Sequence, residues 1–247
     1  MELNKIYQGD CLEVMKSIPD KSIDMILCDL PYGTTACKWD TIIPFEPLWE
    51  QYKRIIKDNG AIVLTASQPF TSALVMSNIK NFKYEWIWDK VNPSGFQIAK
   101  YCPMKQHENI LVFCKNKINY NPIKVPRDKI KKSRHYGKTS GSNPLKYIDD
   151  NTREYKDLNP KTILTFSNAN RTGRVHPTQK PVALFEYLIK TYTNEGDLVL
   201  DNCAGSGTTG VACKNLNRNF ILIEQDEKYC DIIKERVGCD IIIPPTK

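Results

Sequence analysis

Short apolar runs alternate with amphipathic segments over the first half of the chain, and this alternation predicts strands and helices in turn. The apolar runs predict strands at residues 5–8, 22–28, 61–64, 84–88 and 110–113. Amphipathic spacing predicts helices at 11–18, 45–57 and 70–77, and Asn59-Gly60 is expected to end the second of them. Apolar strands separated by helices are typical of an α/β fold, in which helices cover both faces of a mainly parallel sheet.

A long polar stretch interrupts this pattern before regular structure resumes. Residues 117–174 are basic and rich in Asn, Pro, Ser and Gly, with little periodicity. A plain loop of this length is uncommon in a compact domain, which indicates an inserted functional lobe or a partly ordered segment. Helices are then predicted at 182–192, 208–215 and 227–237, and strands at 198–200 and 220–223. The expected division of the chain is 1–116, 117–174 and 175–247, with the first and last parts forming one domain.

Positive charge is concentrated in the polar stretch. The whole chain has a net charge of +7, whereas residues 115–174 alone hold fifteen Lys or Arg and five Asp or Glu, a net of +10. A localised basic region is typical of a protein that binds a polyanion through its phosphates. The alternative interpretation is a solvated, lysine-rich surface loop.

The remaining composition argues against several classes of protein. The 247 residues, 41% of them hydrophobic, are enough to bury a full core. No stretch is apolar enough to span a bilayer, and the N-terminus lacks the apolar core of a signal peptide, so no membrane association is expected. The nine cysteines are scattered and only three histidines are present. We therefore expect no metal site, and reduced cysteines in a cytoplasmic protein.

The first candidate for chemistry is Asp29-Leu30-Pro31-Tyr32, which follows the strand predicted at 22–28. The carboxylate of Asp29 can accept a hydrogen bond from an amino group. Pro31 lacks an N–H and holds the backbone so that nearby carbonyls point at the same group. Tyr32 offers a face for stacking, so the segment predicts a pocket for a flat base that bears an amino group. By itself the tetrapeptide is also an ordinary turn between a strand and a loop.

A second candidate follows the strand predicted at 198–200. The turn Asp201-Asn202-Cys203-Ala204-Gly205-Ser206-Gly207 leads into a helix, and Gly205–Gly210 matches the nucleotide-binding pattern G-x-G-x-x-G. Glu224 ends the next strand, where an acid can bind ribose hydroxyls. Asp201 favours S-adenosylmethionine over a dinucleotide, because a carboxylate there attracts an ammonium group and repels a pyrophosphate. A glycine turn that serves only helix packing is the structural alternative.

Together these segments resemble the β-class of amino-methylating DNA methyltransferases, in the N6/N4 family. Asp29–Tyr32 is similar to the family's catalytic Asp-Pro-Pro-Tyr, and Asp201–Gly207 is similar to its cofactor motif Asp-Pro-Phe-x-Gly-Ser-Gly. Gly9-Asp10-Cys11-Leu12 looks like the family's acidic segment near the cofactor's adenine. The segment His176-Pro177-Thr178-Gln179-Lys180-Pro181 is similar to the one that lines the methionine part of the site. The order of the motifs also matches, with the catalytic motif before the insert and the cofactor motif after it.

The resemblance implies a Rossmann-like S-adenosylmethionine-dependent methyltransferase fold with a basic target-recognition insert. The implied reaction is site-specific methylation of the N6 amino group of an adenine that is flipped out of duplex DNA. The catalytic residues would be Asp29, Leu30, Pro31 and Tyr32. The cofactor would contact Asp10, Thr178, Lys180, Asp201, Cys203, Ala204, Gly205, Ser206, Gly207 and Glu224. The DNA would contact Arg127, Lys129, Lys131, Lys132, Arg134 and Lys138 in the insert.

Three residues depart from the family's motifs. Leu30 replaces the first proline of the catalytic motif, and Asn202 and Cys203 replace the Pro-Phe pair of the cofactor motif. Neither change removes a group that must do chemistry, so activity is expected. The family pattern is also compatible with a monomer or a homodimer, and with a companion restriction endonuclease in a bacterial or phage-infected cell.

Several alternatives stay open on the sequence. In this family a serine in the first catalytic position usually accompanies cytosine, so Asp29 favours adenine over methylation of cytosine N4. An RNA adenine methyltransferase is a further candidate. A nicotinamide-dependent oxidoreductase would use the Gly205–Gly210 turn but leaves Asp29–Tyr32 unexplained. A DNA-binding protein with a decayed active site is the non-enzymatic alternative.

Overall fold

The chain divides into two compact units, one formed by Met1–Asn121 with Thr162–Lys247 and the other by Pro122–Lys161. The computed structural model describes residues 1–33, 40–133, 136–137, 146–147, 153–168 and 179–244. Among the helices of these described residues, none is both long enough and apolar enough to cross a membrane. The division of the chain at 116/117 and 174/175 stays a prediction.

The described elements alternate between strand and helix in most of the larger unit. The strands are β1 (Lys5–Gln8), β2 (Ile23–Asp29), β3 (Ile56–Ala66), β4 (Phe82–Ser94), β5 (Lys105–Phe113), β6 (Val125–Ser133), β7 (Tyr136–Gly137), β8 (Lys146–Tyr147), β9 (Arg153–Leu158), β10 (Ile163–Thr165), β11 (Leu198–Asp201), β12 (Asn219–Glu224) and β13 (Ile241–Ile242). The helices are α1 (Cys11–Met15), α2 (Phe45–Ile55), α3 (Phe70–Ser77), α4 (Val182–Tyr192), α5 (Thr208–Asn215) and α6 (Glu227–Val237).

A nine-stranded sheet forms the centre of the larger unit, in the order β10-β4-β5-β3-β2-β11-β12-β1-β13. Neighbouring strands are parallel except where β5 lies antiparallel to β3 and to β4. The prediction of a mainly parallel sheet is confirmed. The pairing of β2 with β11, through Met25 with Val199 and Ile26 with Leu200, places the carboxyl ends of these two strands side by side.

Helices cover both faces of the sheet, as predicted. Alternate residues of β2 point to opposite faces: Met25 and Leu27 belong to one buried cluster, and Ile26 and Cys28 belong to the other. The first cluster contains the apolar sides of α4, α5 and α6, and the second contains those of α1, α2 and α3. This two-sided burial explains why the strands read as nearly continuous apolar runs.

The prediction that Asn59-Gly60 ends the second helix is wrong. Helix α2 ends at Ile55, and both residues lie inside β3, which begins at the next position. A Cβ at position 60 would come within 2.8 Å of the Asp24 carbonyl oxygen in β2, so glycine is needed for close approach of the two strands. The register between β2 and β3 also shifts in this region.

Other differences concern the lengths of elements. Helix α1 stops at Met15 rather than at the predicted residue 18, and Ile18, which lies beyond its end, is buried. Strands β4 and β5 extend well beyond the predicted 84–88 and 110–113, because their outer ends form an exposed hairpin without an apolar signal. The short edge strands β10 and β13 were not predicted, since two or three residues carry no readable period.

The smaller unit contains two antiparallel strand pairs. Strand β6 pairs with β9, and β7 pairs with β8. The sequence of this region has little periodicity because the described parts of β6 and β9 are almost wholly exposed, so no buried face imposes an alternating pattern.

Candidate active site

The two motifs predicted from the sequence meet at one edge of the sheet. Asp29 ends β2 and Asp201 ends β11, and these strands are parallel neighbours. A cavity of about 1220 Å³ is lined by both residues, and by Lys180 and Glu224. This volume exceeds the ~300–1,000 Å³ of a typical site for one small ligand, so the cavity has room for two partners of a reaction.

Asp29 is half-buried and receives three hydrogen bonds from described residues. Its Oδ1 accepts from the Tyr32 hydroxyl over 2.7 Å and from the hydroxyl of Thr65, which ends up beside it because β3 is the neighbour of β2. Its Oδ2 accepts from the ammonium of Lys180 over 2.6 Å. A carboxylate has about four lone-pair positions, so the contacts with the described residues leave one position on Oδ2 for a further donor.

Tyr32 is held by contacts on its ring as well as by its hydroxyl. The ring stacks against that of Phe70 with centroids 5.3 Å apart and an interplanar angle of 29°. Lys180 Nζ lies 5.8 Å from the centroid of the Tyr32 ring. Burial, and then the negative charges of Asp29 and Glu108, raise the pKa of the Tyr32 phenol well above its ordinary value. The phenol therefore stays protonated and acts as a donor to Asp29.

Lys180 belongs to a buried chain of alternating charges. Its ammonium lies 2.6 Å from Asp29 Oδ2 and 3.5 Å from Glu108 Oε2, and Glu108 Oε1 lies 3.3 Å from Lys90 Nζ. Burial acts to lower the pKa of Lys180, but Asp29 and Glu108 outweigh it and the pKa is raised. Two ammonium and two carboxylate groups thus balance in a region with little access to water.

The turn after β11 is organised around the carboxylate of Asp201, whose residue is 3% exposed. Asp201 Oδ1 accepts from the backbone N–H of Cys203 over 3.1 Å, and Oδ2 accepts from the hydroxyl of Thr209 in α5. Burial raises the pKa of Asp201 to about 7, although these hydrogen bonds act to lower it. The group therefore changes charge close to neutral pH.

Close packing explains two glycines of the G-x-G-x-x-G pattern, one at the end of the turn and one in α5. Gly207 has φ +77°, a left-handed conformation that glycine adopts without strain, and a Cβ there would come within 2.9 Å of Ile233 in α6. A Cβ on Gly210 would come within 2.8 Å of Leu222 in β12. The pattern therefore lets α5 approach both β12 and α6, which keeps the turn close to the sheet.

Glu224 links the ends of β12 and β11. Its Oε2 accepts from the N–H of Gly205 over 2.8 Å, and its Oε1 accepts from the N–H groups of Gln225 and Asp226, each over 2.9 Å. Burial raises the pKa of Glu224 above its ordinary value. Glu224 is thus held by backbone donors at the place where the sequence predicts a ribose contact.

Of the other predicted cofactor residues that are described, all except Gly207 line this cavity. Cys203, Ala204, Gly205 and Ser206 do so from the turn. Asp10 does so from the start of α1, where its carboxylate also caps the helix by accepting from Leu12 N over 2.8 Å. Gly207 lies at the end of the turn, and Thr178 is outside the described residues.

The residues that depart from the family's motifs have structural partners. Leu30 is 3% exposed and packs in the cluster with α1, α2 and α3. Asn202 accepts a 2.6 Å hydrogen bond from the Tyr52 hydroxyl, which ties the turn to α2. Leu30 and Asn202 are thus held in place by packing and by hydrogen bonding.

The predicted DNA-binding residues that are described lie on β6 in the smaller unit. Lys129, Lys131 and Lys132 are exposed, and Lys132 is 3.0 Å from Glu154 in β9. Arg127 donates to the Asp157 carbonyl over 3.0 Å. Arg134 and Lys138 are outside the described residues.

Solved structures with the same architecture give the class of the fold. The crystal structure of the M1.HpyAVI–SAM complex superposes with a TM-score of 0.64 and 27% identity, over 95% of this chain and 98% of that one. The PvuII DNA methyltransferase, described as cytosine-N4-specific, superposes with a TM-score of 0.63 at 18% identity, over 96% and 93% of the two chains. The second likeness shows the fold alone. The fold is that of the Rossmann-like, S-adenosylmethionine-dependent methyltransferases.

Sequence comparison then gives the family. The N6/N4 methyltransferase family model, described as DNA methylase, matches residues 23–235. The type II methyltransferase M.HpaI of Haemophilus parainfluenzae is 31% identical over 96% of this chain and 74% of its own length. The type II methyltransferase M1.MboII of Moraxella bovis is 29% identical over 93% and 94%. The chain belongs to the N6/N4 family of DNA methyltransferases, which excludes the nicotinamide-dependent oxidoreductase.

Some residues around Asp29 were not assigned a role from the sequence. These residues are Thr65, Phe70, Lys90 and Glu108. They converge on Asp29 because β3, β5 and β4 lie on one side of β2. Strand order is a long-range property that the local pattern does not contain. Thr65 and Lys90 follow the apolar runs of β3 and β4, whereas Glu108 precedes the apolar run of the antiparallel β5. A polar residue at the same edge of each run was the available signal.

Proposed function

We propose that this protein transfers a methyl group from S-adenosylmethionine to the N6 amino group of an adenine flipped out of duplex DNA. The observation that carries the proposal is the single cavity that joins Asp29, at the end of β2, to the Asp201–Gly207 turn, at the end of β11. A methyl donor in the turn and an amino acceptor at Asp29 would share this space. Family membership supplies the reaction class, and Asp29 supports adenine as the base.

The chemistry of the lining fits S-adenosylmethionine, which has a ribose diol, an ammonium and a sulfonium. Glu224 provides acceptors for ribose hydroxyls at the end of β12, as acids do in this position of nucleotide-binding folds. Asp201 places a buried negative charge beside the turn. The bound cofactor supplies an electrophilic methyl group, and the protein's residues bring an amino nitrogen up to it.

Asp29 is suited to bind and activate that amino nitrogen. An exocyclic amine is a weak nucleophile because its lone pair is delocalised into the ring. Hydrogen bonds from its two hydrogens to Asp29 Oδ2 and to a backbone carbonyl near Leu30 or Pro31 favour a more pyramidal nitrogen. The carboxylate also stabilises the positive charge that develops on nitrogen during transfer.

Three neighbours keep Asp29 ready for this contact. Lys180, Tyr32 and Thr65 each donate to it, which holds the carboxylate in one orientation before DNA arrives. Tyr32 is also held by its contact with Phe70 and lines the cavity, so its ring offers a stacking surface to a flipped base. Positioning of this kind lowers the barrier without further covalent chemistry.

The named type II relatives support a modification role on duplex DNA. The test is to incubate the purified protein with isotope-labelled S-adenosylmethionine and unmethylated plasmid DNA, then to digest the DNA and analyse its nucleosides by mass spectrometry. Label in N6-methyladenine is expected. Label in N4-methylcytosine would keep the chemistry and overturn the assigned base. Label only in RNA, tested in parallel, or no label despite cofactor binding, would reject the DNA substrate.

A further inference from the structure

The connection between β4 and β5 presents two aromatic side chains to solvent. In the hairpin tip (residues 91–104), Phe96 is 84% exposed and Tyr101 is 89% exposed, and Ile98 between them is 54% exposed. Large apolar side chains scattered singly on a surface need no explanation, but three within six residues are a local concentration that does. The hairpin tip lies outside the basic insert to which the sequence assigned DNA binding.

The hairpin tip has a defined conformation that displays these side chains. Backbone hydrogen bonds join Ile98 N to Gly95 O over 3.0 Å, Ala99 N to Phe96 O over 3.2 Å and Tyr101 N to Ile98 O over 2.9 Å. Gly95 has φ +91°, which makes the reversal of the chain there possible without strain. Aromatic rings on an ordered turn lose little conformational freedom when a partner covers them.

The base of the hairpin tip holds a strained residue beside the cavity. Val91 is β-branched and has φ +67°, a conformation in which such a residue is an outlier and which is found most often at functional sites. Asp89 holds it there by accepting from Val91 N and from Gln106 Nε2, each over 2.9 Å. The next residues, Asn92 and Ser94, line the same cavity as Asp29. The hairpin tip therefore rises from the rim of the candidate active site.

The charge of this element fits a polyanion. The hairpin tip and the residue that follows it carry two lysines, Lys100 and Lys105, and no Asp or Glu. Exposed aromatic rings beside lysines are the combination that binds nucleic acid through base stacking and phosphate contacts together. An apolar protein partner would not require the same bias of charge.

We propose that the hairpin tip packs against the DNA bases next to the target nucleotide, with Phe96 and Tyr101 as the contacting side chains. This inference rests on the proposed function, since it takes duplex DNA as the substrate. A target base that leaves the duplex exposes the faces of its neighbours, and the two rings cover those faces. The hairpin tip thereby stabilises the flipped state, while Asp29 and Tyr32 receive the base.

The test compares Phe96→Ala/Tyr101→Ala with the wild type in the full chain, after the methylated site has been mapped in plasmid DNA. Two duplexes are used, one matched and one with a mispaired target base, which costs less to flip. For each aromatic ring removed, DNA affinity and kcat/KM on matched DNA are expected to fall about fivefold or more, with much of the loss recovered on the mispaired duplex. Met76→Ala, in which a 70% exposed side chain of α3 is shortened, should behave as the wild type.

A footprint at Cys102 tests contact without turnover. Cys102 is exposed in the hairpin tip, whereas Cys239 lies near the sheet edge formed by β13. DNA is expected to slow alkylation of Cys102 by iodoacetamide, read by mass spectrometry, and to leave alkylation of Cys239 unchanged. Unprotected Cys102 under saturating DNA, or wild-type DNA affinity in the double variant, would overturn the proposal. Protection of Cys102 by duplex DNA without methyl transfer would instead uphold the contact and reject the proposed function.

Discussion

The ammonium of Lys180 lies 2.6 Å from Oδ2 of Asp29, although 151 positions separate them in the sequence. The pair joins the segment just before α4 to the end of β2. Glu108, 3.5 Å from the same ammonium, connects β5 to the pair. Lys180 was predicted to contact the cofactor, and the structure places its charge on the proposed catalytic acid. Its role is therefore expected to be the orientation of Asp29.

Replacement of Lys180 tests this interpretation. Lys180→Met leaves two carboxylates without their shared cation, so we expect kcat to fall about 100-fold, equivalent to roughly 2.7 kcal/mol. Affinity for S-adenosylmethionine, measured by calorimetry, should change less than threefold. Lys190→Met, on the exposed side of α4, is the control. A large loss of cofactor affinity with unchanged kcat would show that Lys180 serves the cofactor instead.

The two contacts of Tyr32 can be separated by two variants. Tyr32→Phe keeps the ring that stacks on Phe70 and removes only the hydroxyl that donates to Asp29. We expect a loss in kcat of about fivefold, typical of one hydrogen bond. Tyr32→Ala also removes the stacking surface, so activity should fall a further ~10-fold or more. Fluorescence of 2-aminopurine at the target position would report flipping, and equal signals from both variants would contradict a stacking role.

We expect the proposed contact of Asp201 with the cofactor to make cofactor binding dependent on pH. Its pKa is raised to about 7 by burial, so the carboxyl is neutral below this pH and negative above it. A cationic cofactor prefers the negative form, and affinity for S-adenosylmethionine should therefore increase as pH rises from 6 to 8. Asp201→Asn retains the shape of the side chain without the charge. This variant should bind more weakly with a flatter pH profile, measured by titration calorimetry; a profile like that of the wild type would contradict the assignment.

The raised pKa of Asp201 also affects folding stability, which should decrease as pH rises whereas cofactor affinity should increase. A carboxyl whose pKa rises on folding binds protons more tightly in the folded state, so its contribution opposes folding as pH increases between about 4 and 7. We expect Asp201→Asn to gain stability relative to the wild type over this range. Urea denaturation at pH 5 and pH 8, without cofactor, measures the difference. If the difference in free energy of unfolding between the two proteins is no larger at pH 8 than at pH 5, the claim that folding buries the ionised carboxylate of Asp201 is contradicted.

The basic strand β6 predicts a salt-dependent affinity for DNA. Lys129 and Lys131 are exposed, and removing one lysine–phosphate interaction should reduce the slope of log affinity against log salt by about 0.9. Lys129→Ala/Lys131→Ala is expected to lower that slope by up to about two and to weaken all duplexes alike. The matched control is Lys53→Ala/Lys190→Ala, which removes two exposed lysines from α2 and α4. An unchanged slope of log affinity against log salt would show that these lysines of β6 do not contact DNA phosphates.

The sequence predicted the sheet and its helices because buried strands and amphipathic helices leave local patterns. The spacing of Leu184, Leu188 and Tyr192 along the predicted helix at 182–192 is that of one helix face, and all three are buried in α4. The prediction that a helix ends at Asn59-Gly60 was wrong, because this glycine allows β3 to approach the neighbouring strand β2 and does not terminate a helix. The exposed parts of β4, β5 and β6 had no buried face and therefore no period.

The sequence predicted individual residues of the site but not the contacts between them. Asp29, Asp201 and Glu224 could be found because each is an acid that ends an apolar strand. Thr65 could not be assigned to Asp29 from the sequence, because the contact depends on the pairing of β3 with β2. The proximity of Lys180 to Asp29 likewise depends on the folded chain, since no spacing rule relates residues so far apart.

The central claim is that Asp29 directs a methyl group from the Asp201–Gly207 turn to an amino group of DNA. The most direct measurement is a single-turnover assay with tritiated S-adenosylmethionine and duplex DNA, comparing the wild type with Asp29→Asn and with the exposed control Asp20→Asn. Label should enter N6-methyladenine with the wild type and the control, and at least 100-fold more slowly with Asp29→Asn, whose cofactor affinity stays within about threefold of the wild type. Transfer at the wild-type rate by Asp29→Asn would contradict the account.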